Sequence, residues 1–101
     1  MKPRPVRNIF PSSRYVTSFK KLDPQLQQRL IEREKLFRVN AYHPGLKTHK
    51  LEGGLGEKDF YAYYVNDSLR VMFKFISSDE VLYVDVNDHR ISLLSKITDL
   101  P

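Results

Sequence analysis

The sequence predicts an α+β fold in which an N-terminal helical hairpin packs on a small, twisted, mainly antiparallel sheet. Three observations predict it: apolar residues recur at helical spacing in the N-terminal part, apolar and polar residues alternate in later runs, and turn-forming clusters separate those runs. A chain of 101 residues has room for one hydrophobic core, so we expect residues 1–101 to form a single domain.

The N-terminal part predicts an extended segment followed by two helices. The first nine residues contain two prolines and three cations, which favours an extended arm or an edge strand. Helices are expected at about 12–21 and 24–39, separated where Asp23 and Pro24 match an N-cap and a first-turn proline. Their apolar positions, spaced by three and four residues, are Tyr15, Phe19, Leu22, Leu26 and Leu30.

The middle of the chain predicts a turn and a basic loop. The second helix ends near Asn40, because the His-Pro-Gly sequence at 43–45 excludes continued helix. A basic loop at 47–50 leads to a glycine-containing turn at 53–56. That turn is not a phosphate loop, since no GK[ST] sequence or following helix accompanies it.

The C-terminal half predicts a meander of short strands. Strand-like runs occupy 58–65, 69–76 and 81–86, and turn formers occupy 66–68 and 77–80. A short final strand or helix is predicted by Ile91, Leu93, Leu94 and Ile97.

Alternation assigns the two faces of the predicted sheet. The odd-numbered apolar residues of 69–75 are expected to face the helices, so the even-numbered ones face outward. With their expected neighbours on the adjacent strands, the outward-facing residues are Arg70, Met72, Lys74, Tyr61, Tyr63, Tyr83 and Asp85.

The composition excludes several classes of protein. There is no cysteine, which excludes disulfides, Cys-ligated zinc and a thiol nucleophile. The apolar runs are much shorter than the roughly 20 residues that cross a bilayer, and no signal peptide is evident, so we expect a cytoplasmic protein without a membrane partner. A net charge of +5 favours a polyanionic or acidic partner.

The outward face of the sheet is a candidate surface for single-stranded RNA. Cations neutralise phosphates, and exposed aromatic rings stack on bases. A packing role is the alternative for strand tyrosines, because strand propensity alone explains them. The expected RNA-binding residues are Lys47, Lys50, Lys58, Lys74 and Tyr61.

Candidate catalytic residues are His49, Arg70 and His89. Cleavage of RNA by its own 2′-hydroxyl needs a base, an acid and a cation that stabilises the developing phosphorane charge, and it needs no metal. The two histidines are expected at the ends of elements, where catalytic groups often lie. The alternatives are an exposed loop histidine at His49 and a hydrogen-bonded histidine at His89. The histidines lack the compact spacing of metal ligands, so no metal or cofactor is expected.

Four short sequences carry a resemblance to a known family. They are F-K-K-L at 19–22, L-K-T-H-K-L-E-G at 46–53, L-R-V-M-F at 69–73 and V-D-V-N-D-H-R at 84–90. In this order, and with the predicted elements between them, they span nearly the whole chain. The chain resembles the RelE/ParE toxin family of toxin–antitoxin pairs.

The resemblance implies a fold, an activity and a set of partners. The implied activity is ribosome-dependent, metal-independent cleavage of messenger RNA (mRNA interferase). By position, Arg70 matches the family's strand arginine, His49 a loop histidine and His89 the residue after the last strand, while Lys47 and Lys50 match the basic loop. The implied partners are a cognate antitoxin, in a toxin–antitoxin hetero-oligomer, and mRNA on the ribosome.

One departure from the family pattern keeps two alternatives open. Active relatives commonly carry an aromatic residue three to six positions after the last-strand residue, whereas 91–95 here reads I-S-L-L-S. The alternatives are a gyrase inhibitor of the ParE kind and a catalytically weakened relative that binds RNA or a protein partner.

Overall fold

A computed structural model describes residues 2–51 and 59–88 of the chain. No helix within these ranges is long and apolar enough to span a lipid bilayer. In chain order the elements are β1 (Asn8–Pro11), α1 (Ser13–Lys20), α2 (Pro24–Val39), a 3₁₀ turn (Pro44–Leu46), β2 (His49–Lys50), β3 (Phe60–Tyr64), β4 (Leu69–Phe75) and β5 (Glu80–Asp88).

The described strands form one five-stranded sheet in the order β1-β5-β4-β3-β2. Neighbouring strands are antiparallel except for β1, which pairs parallel to β5 at one edge. The predicted α+β class and the mainly antiparallel sheet are therefore confirmed, and of the N-terminal segment predicted as an extended arm or edge strand only the end, from Asn8, belongs to the edge strand. The short β2 lies where the sequence predicted only a basic loop.

Both helices begin where a side chain caps the first turn. The side chain of Asp23 accepts a hydrogen bond from the amide of Leu26 at 2.9 Å, and Pro24 follows in the first turn. Ser12 accepts from the amide of Tyr15 at 3.0 Å in the same way. Because each cap satisfies an amide that the helix leaves unpaired, the predicted break between the helices is confirmed.

The hydrophobic core lies between the helices and one face of the sheet. Phe37 of α2 is completely buried, and its ring centroid lies 4.7 Å from that of Tyr63 and 4.8 Å from that of Phe73. Leu69 and Val71 are buried in the same cluster. The predicted inward face of β4 is therefore confirmed.

The predicted outward orientation of Tyr61, Tyr63 and Tyr83 is wrong. Tyr63 and Tyr83 are 0% and 1% exposed, and Tyr61 packs against the core. The pairing explains this: Phe73 lies opposite both Tyr61 and Tyr83, and Val71 lies opposite Tyr63. Since residues that are paired across strands face the same side, the tyrosines follow their partners into the core.

The two buried phenols are paired with each other. The hydroxyl oxygens of Tyr63 and Tyr83 lie 2.6 Å apart, so one donates to the other. Burial raises the pKa of both phenols well above the ordinary value, because the charged phenolate would lose its hydration. Both phenols are neutral at physiological pH.

Asp85 also departs from its predicted outward position. Between Met72 and Phe73 the β4–β5 pairing shifts by one residue, so β5 contains a bulge. Asp85 is fully buried and accepts hydrogen bonds from the Ser18 hydroxyl at 2.6 Å and from the amide of Val86 at 2.8 Å. The bond to Ser18 links β5 to α1, and in the sheet Asp85 lies opposite Met72 of β4.

Two sets of predictions fall outside the described residues. They are the glycine-containing turn at 53–56 and the final element predicted by Ile91, Leu93, Leu94 and Ile97.

Candidate functional site

Two segments of the chain meet on the outward face of the sheet, at the end where β3 turns into β4. His49 of β2 lies opposite Ala62 of β3, and Tyr64 of β3 lies opposite Arg70 of β4. Ala62 and Tyr64 project from the same face because they are two residues apart, and their partners project with them. The register therefore brings His49 to the same surface as Tyr64 and Arg70.

The ring of Tyr64 is the centre of this surface. The guanidinium carbon of Arg70 lies 3.4 Å from the ring centroid, and Nζ of Lys47 lies 5.4 Å from it. The ring of His49 lies 6.1 Å away, centroid to centroid, at an interplanar angle of 68°. Cations this close to an aromatic ring are attracted by its quadrupole, by about 0.5–2 kcal/mol. We call Lys47, His49, Tyr64 and Arg70 the Tyr64 cluster.

The guanidinium of Arg70 is fixed by the backbone of the β3–β4 turn. Its Nη1 donates to the carbonyl oxygens of Asn66 at 3.3 Å and Asp67 at 2.9 Å. The turn is ordered by the Asn66 side chain, which accepts from the amides of Ser68 and Leu69. In the part of the chain that the structure describes, Nε and Nη2 of Arg70 have no acceptor. These donors are available to a bound anion.

The backbone at Lys47 is in the left-handed region, with φ 53° and ψ 38°. It ends the 3₁₀ turn, and its amide donates to the carbonyl of Pro44 at 3.3 Å. This conformation costs a residue with a Cβ about 1–2 kcal/mol, so glycine would be the usual choice here. Lys47 instead places a cation beside Tyr64.

His49 is exposed, and a single backbone contact defines its tautomer. Its Nδ1 lies 3.0 Å from the carbonyl oxygen of Lys47. A carbonyl oxygen only accepts hydrogen bonds, so we assign the proton of the neutral imidazole to Nδ1. Nε2 then carries the lone pair, which is the state that a general base requires.

The predicted catalytic residues are brought together as far as the structure describes them. Arg70 and His49 both lie near the Tyr64 ring. His89, the third, lies outside the described residues. Within the described ranges, no group of three His, Asp or Glu side chains is arranged to hold a metal ion.

Of the predicted RNA-binding lysines that the structure describes, only Lys47 contacts the Tyr64 ring. Lys47 belongs to the Tyr64 cluster, and Lys58 lies outside the described residues. Lys50 forms an ion pair with Asp59 at 3.5 Å. Lys74 lies on the outward face about 13 Å further along β4 than the cluster.

Tyr64 occupies the outward position that the sequence predicted for Tyr61 and Tyr63. Tyr61 stacks on Phe73 on the core side, with centroids 5.7 Å apart. Two adjacent tyrosines on a strand must face opposite sides, and the turn at 66–68 pairs Tyr64 with the outward-facing Arg70. The pairing of Tyr64 with Arg70 across this turn is the signal that would identify Tyr64 as the outward-facing tyrosine.

The Tyr64 cluster is electropositive. Arg70 and Lys47 are cations, His49 is a proton acceptor at Nε2, and the ring between them is uncharged. Cations around a free base fit a phosphodiester, because the anion binds the cations while the base reaches a neighbouring hydroxyl.

Three solved structures superpose on more than four-fifths of this chain. YafQ from E. coli gives a TM-score of 0.69 at 14% identity, covering 86% of this chain and 98% of that one. The YoeB/ParE toxin from Agrobacterium tumefaciens gives 0.67 at 8%, covering 82% and 99%. A chain of the archaeal RelE–RelB complex from Pyrococcus horikoshii gives 0.64 at 18%, covering 82% and 93%. The chain has the RelE/ParE toxin fold.

The RelE/ParE fold confirms the architecture that the sequence resemblance implied. No protein-family model matches the chain, and no curated protein matches it by sequence. At identities of 8–18% the three structures establish the fold alone. The three structures therefore assign no activity to the Tyr64 cluster.

Proposed function

We propose that this chain is the toxin of a toxin–antitoxin pair, and that it cleaves messenger RNA on the ribosome without a metal ion. The Tyr64 cluster carries the proposal, because an imidazole with a free Nε2 and a guanidinium with free donors both adjoin the ring of Tyr64. The fold supports it, since structures of this fold include the RelE–RelB complex and the YoeB–YefM toxin–antitoxin complex from Staphylococcus aureus.

The proposed reaction uses the 2′-hydroxyl of the RNA as the nucleophile. Nε2 of His49 accepts the hydroxyl proton, the 2′-oxygen bonds to phosphorus, and the bond from phosphorus to the 5′-oxygen breaks. The products are a 2′,3′-cyclic phosphate and a 5′-hydroxyl. His89 remains the predicted acid that protonates the leaving 5′-oxygen, and each positioned acid or base contributes about 10²–10⁴-fold.

The cations stabilise the charge that develops on phosphorus. Nε and Nη2 of Arg70 form a planar pair of donors that fits two phosphate oxygens. Tyr64 and the turn carbonyls hold this guanidinium in place before RNA binds, so little ordering is needed during the reaction. Lys47 adds a second positive charge at the same phosphate.

The proposed antitoxin is a protein with an acidic or amphipathic segment that covers the Tyr64 cluster. A net charge of +5 attracts such a segment and also attracts RNA. The two partners would therefore compete for one surface, and a free toxin would act only when the antitoxin is removed.

Inducible expression of the full chain with mapping of mRNA 5′ ends tests the proposal. The wild type should stop growth and produce new 5′-hydroxyl ends within translated mRNA. His49→Ala and Arg70→Ala should abolish both effects. Arg14→Ala, which removes an exposed cation of α1, is the matched control and should remain toxic. Intact mRNA in cells that express the wild type would refute the nuclease activity.

The same experiment separates the alternatives. A DNA-damage response with intact mRNA would indicate a gyrase inhibitor instead. Growth without inhibition, in the absence of any antitoxin, would indicate a relative that binds RNA or protein without cleaving it.

A further inference from the structure

One arginine of α2 is bonded to the backbone on both sides of the Tyr64 cluster. Nε of Arg33 donates to the carbonyl oxygen of Tyr64 at 3.2 Å. Nη2 of the same guanidinium donates to the carbonyl oxygen of Gly45. Arg33 is half-buried, and no sequence pattern singled it out.

The two carbonyls belong to the two segments that form the cluster. Gly45 lies in the 3₁₀ turn that leads directly to Lys47 and His49. Tyr64 is the last residue of β3 and lies opposite Arg70. One guanidinium therefore connects the segment that carries the proposed base to the hairpin that carries the phosphate-binding cation.

Arg33 bonds to β3 beyond the point where the pairing of β3 with β2 ends. β2 pairs with β3 only opposite Tyr61 and Ala62, so the carbonyl of Tyr64 lies beyond the end of that pairing. Arg33 supplies the missing donor from α2. Without it, nothing in the β2–β3 ladder would fix the 3₁₀ turn relative to the end of β3.

The two hydrogen bonds from Arg33 to the carbonyls of Tyr64 and Gly45 require a guanidinium. A guanidinium presents several N–H donors in one rigid plane, so its two ends reach two acceptors at a set distance. The ammonium of a lysine is a point charge on a flexible stem and does not hold two carbonyls at a set separation.

We propose that Arg33 is a positioning residue that sets the separation of His49 and Arg70 through the backbone, without touching RNA. The inference rests on the proposed nuclease function. It predicts that loss of the double contact moves the base relative to the phosphate and slows the chemical step, while RNA binding is retained.

Arg29 offers a matched control. It lies one helical turn before Arg33 on α2, and its Nε donates to the carbonyl of Val65 at 3.1 Å. It thus makes the same kind of contact from the helix to a backbone carbonyl, one residue beyond the end of β3 and without a hydrogen bond to the 3₁₀ turn. A substitution at Arg29 therefore measures the effect on cleavage of losing one bond from α2 to a backbone carbonyl, with the link to the 3₁₀ turn left in place.

Single-turnover cleavage of ribosome-bound mRNA by full-length Arg33→Lys and Arg29→Lys tests the inference. Misplacement of a reacting group by about 1 Å costs up to about 100-fold, so Arg33→Lys should lower the maximal rate by about 10–100-fold. Its half-saturating RNA concentration should change by less than about twofold, and Arg29→Lys should stay within about twofold in both quantities. Equal maximal rates for the two variants would overturn the inference, as would a change confined to the half-saturating concentration.

A second readout does not depend on cleavage. NMR of the wild type should show NOEs between the ring protons of His49 and Tyr64, and imidazole ¹⁵N shifts of the Nδ1-protonated tautomer. Arg33→Lys should weaken these NOEs, and Arg29→Lys should preserve them. Unchanged NOEs in Arg33→Lys would refute the positioning role. If the wild type cleaves no RNA, the proposed function fails while the NMR comparison still decides the role of Arg33.

Discussion

Tyr63 and Tyr64 are adjacent in β3, yet their surroundings differ completely. Tyr63 is 0% exposed, packs against Phe37 and shares a hydrogen bond with the hydroxyl of Tyr83. Tyr64 is half-buried on the opposite face, where Arg70 and Lys47 lie against its ring.

The two faces of the sheet have different roles: the core side stabilises the fold, and the outward side carries the proposed chemistry. On the core side the polar groups have partners within the protein, and the described residues contain no buried side-chain nitrogen or oxygen without a hydrogen bond. On the outward side, Nε and Nη2 of Arg70 and Nε2 of His49 are left for a ligand. Substitutions on the core side should therefore change unfolding, and those in the Tyr64 cluster should change cleavage.

Phe37→Ala should give the largest loss of stability. Removing a fully buried phenylalanine leaves a cavity between α2 and the sheet, at a cost of about 3–5 kcal/mol in the free energy of unfolding. Urea denaturation monitored by circular dichroism measures it. A cost below about 1 kcal/mol would contradict the assigned core.

Arg70→Ala should give a comparable loss in catalysis with little loss of stability. Removing one charge-stabilising donor lowers the single-turnover rate by about 10²–10³-fold, which is about 2.7–4 kcal/mol in activation free energy. The urea midpoint should stay close to that of Arg14→Ala. A variant that cleaves at the wild-type rate would remove Arg70 from the site.

Replacing Tyr63 or Tyr64 by phenylalanine compares the contributions of the two hydroxyl groups to stability. Tyr63→Phe leaves the buried hydroxyl of Tyr83 without its partner, which should cost about 1–3 kcal/mol in unfolding. Tyr64→Phe keeps the ring under Arg70, so both its stability and its cleavage rate should stay near those of the wild type. Equal destabilisation by the two substitutions would contradict the different roles assigned to the Tyr63 and Tyr64 hydroxyls.

Alkaline pH should destabilise the core side. Because burial raises the pKa of Tyr63 and Tyr83, the folded protein keeps both protons above pH 10 while the unfolded chain loses them. Stability should therefore fall above pH 10, by about 1.4 kcal/mol per pH unit for each phenol. Tyr63→Phe should show a shallower fall than the wild type in denaturation between pH 9 and about 11.5. Parallel pH profiles would contradict this assignment.

The smallest effect concerns the backbone at Lys47. Lys47→Gly and Lys47→Ala both remove the cation, but only glycine relieves the positive φ. The glycine variant should be more stable than the alanine variant by about 0.5–1 kcal/mol, while both cleave equally slowly. An alanine variant of equal or greater stability would show that the conformation at Lys47 is not strained.

The parts of the fold that local rules determine were predictable from the sequence. Asp23 and Pro24 mark the break between the helices, and the alternation of β4 assigns its two faces correctly. The bulge in β5 could not be predicted, because it depends on how β5 pairs with β4 and leaves no local signal. The extra residue places both Tyr83 and Val86 in the core, against the simple alternation.

The candidate site was predictable in part. Residue chemistry and family resemblance pointed to His49, Arg70 and Lys47. Tyr64 was missed because the alternation of β3 was assigned one residue out of phase. Arg33 carries no sequence signal, since an arginine on a helix is commonly exposed to solvent and its two carbonyl partners are defined only by the folded backbone.

The role of His49 as the base is tested most directly by the single-turnover cleavage rate of His49→Ala on ribosome-bound mRNA, with the urea midpoint measured on the same preparation. We expect a rate about 10²–10⁴-fold below that of the wild type at an unchanged urea midpoint, because a positioned base contributes a factor of this size. Cleavage at the wild-type rate by a folded His49→Ala would contradict it.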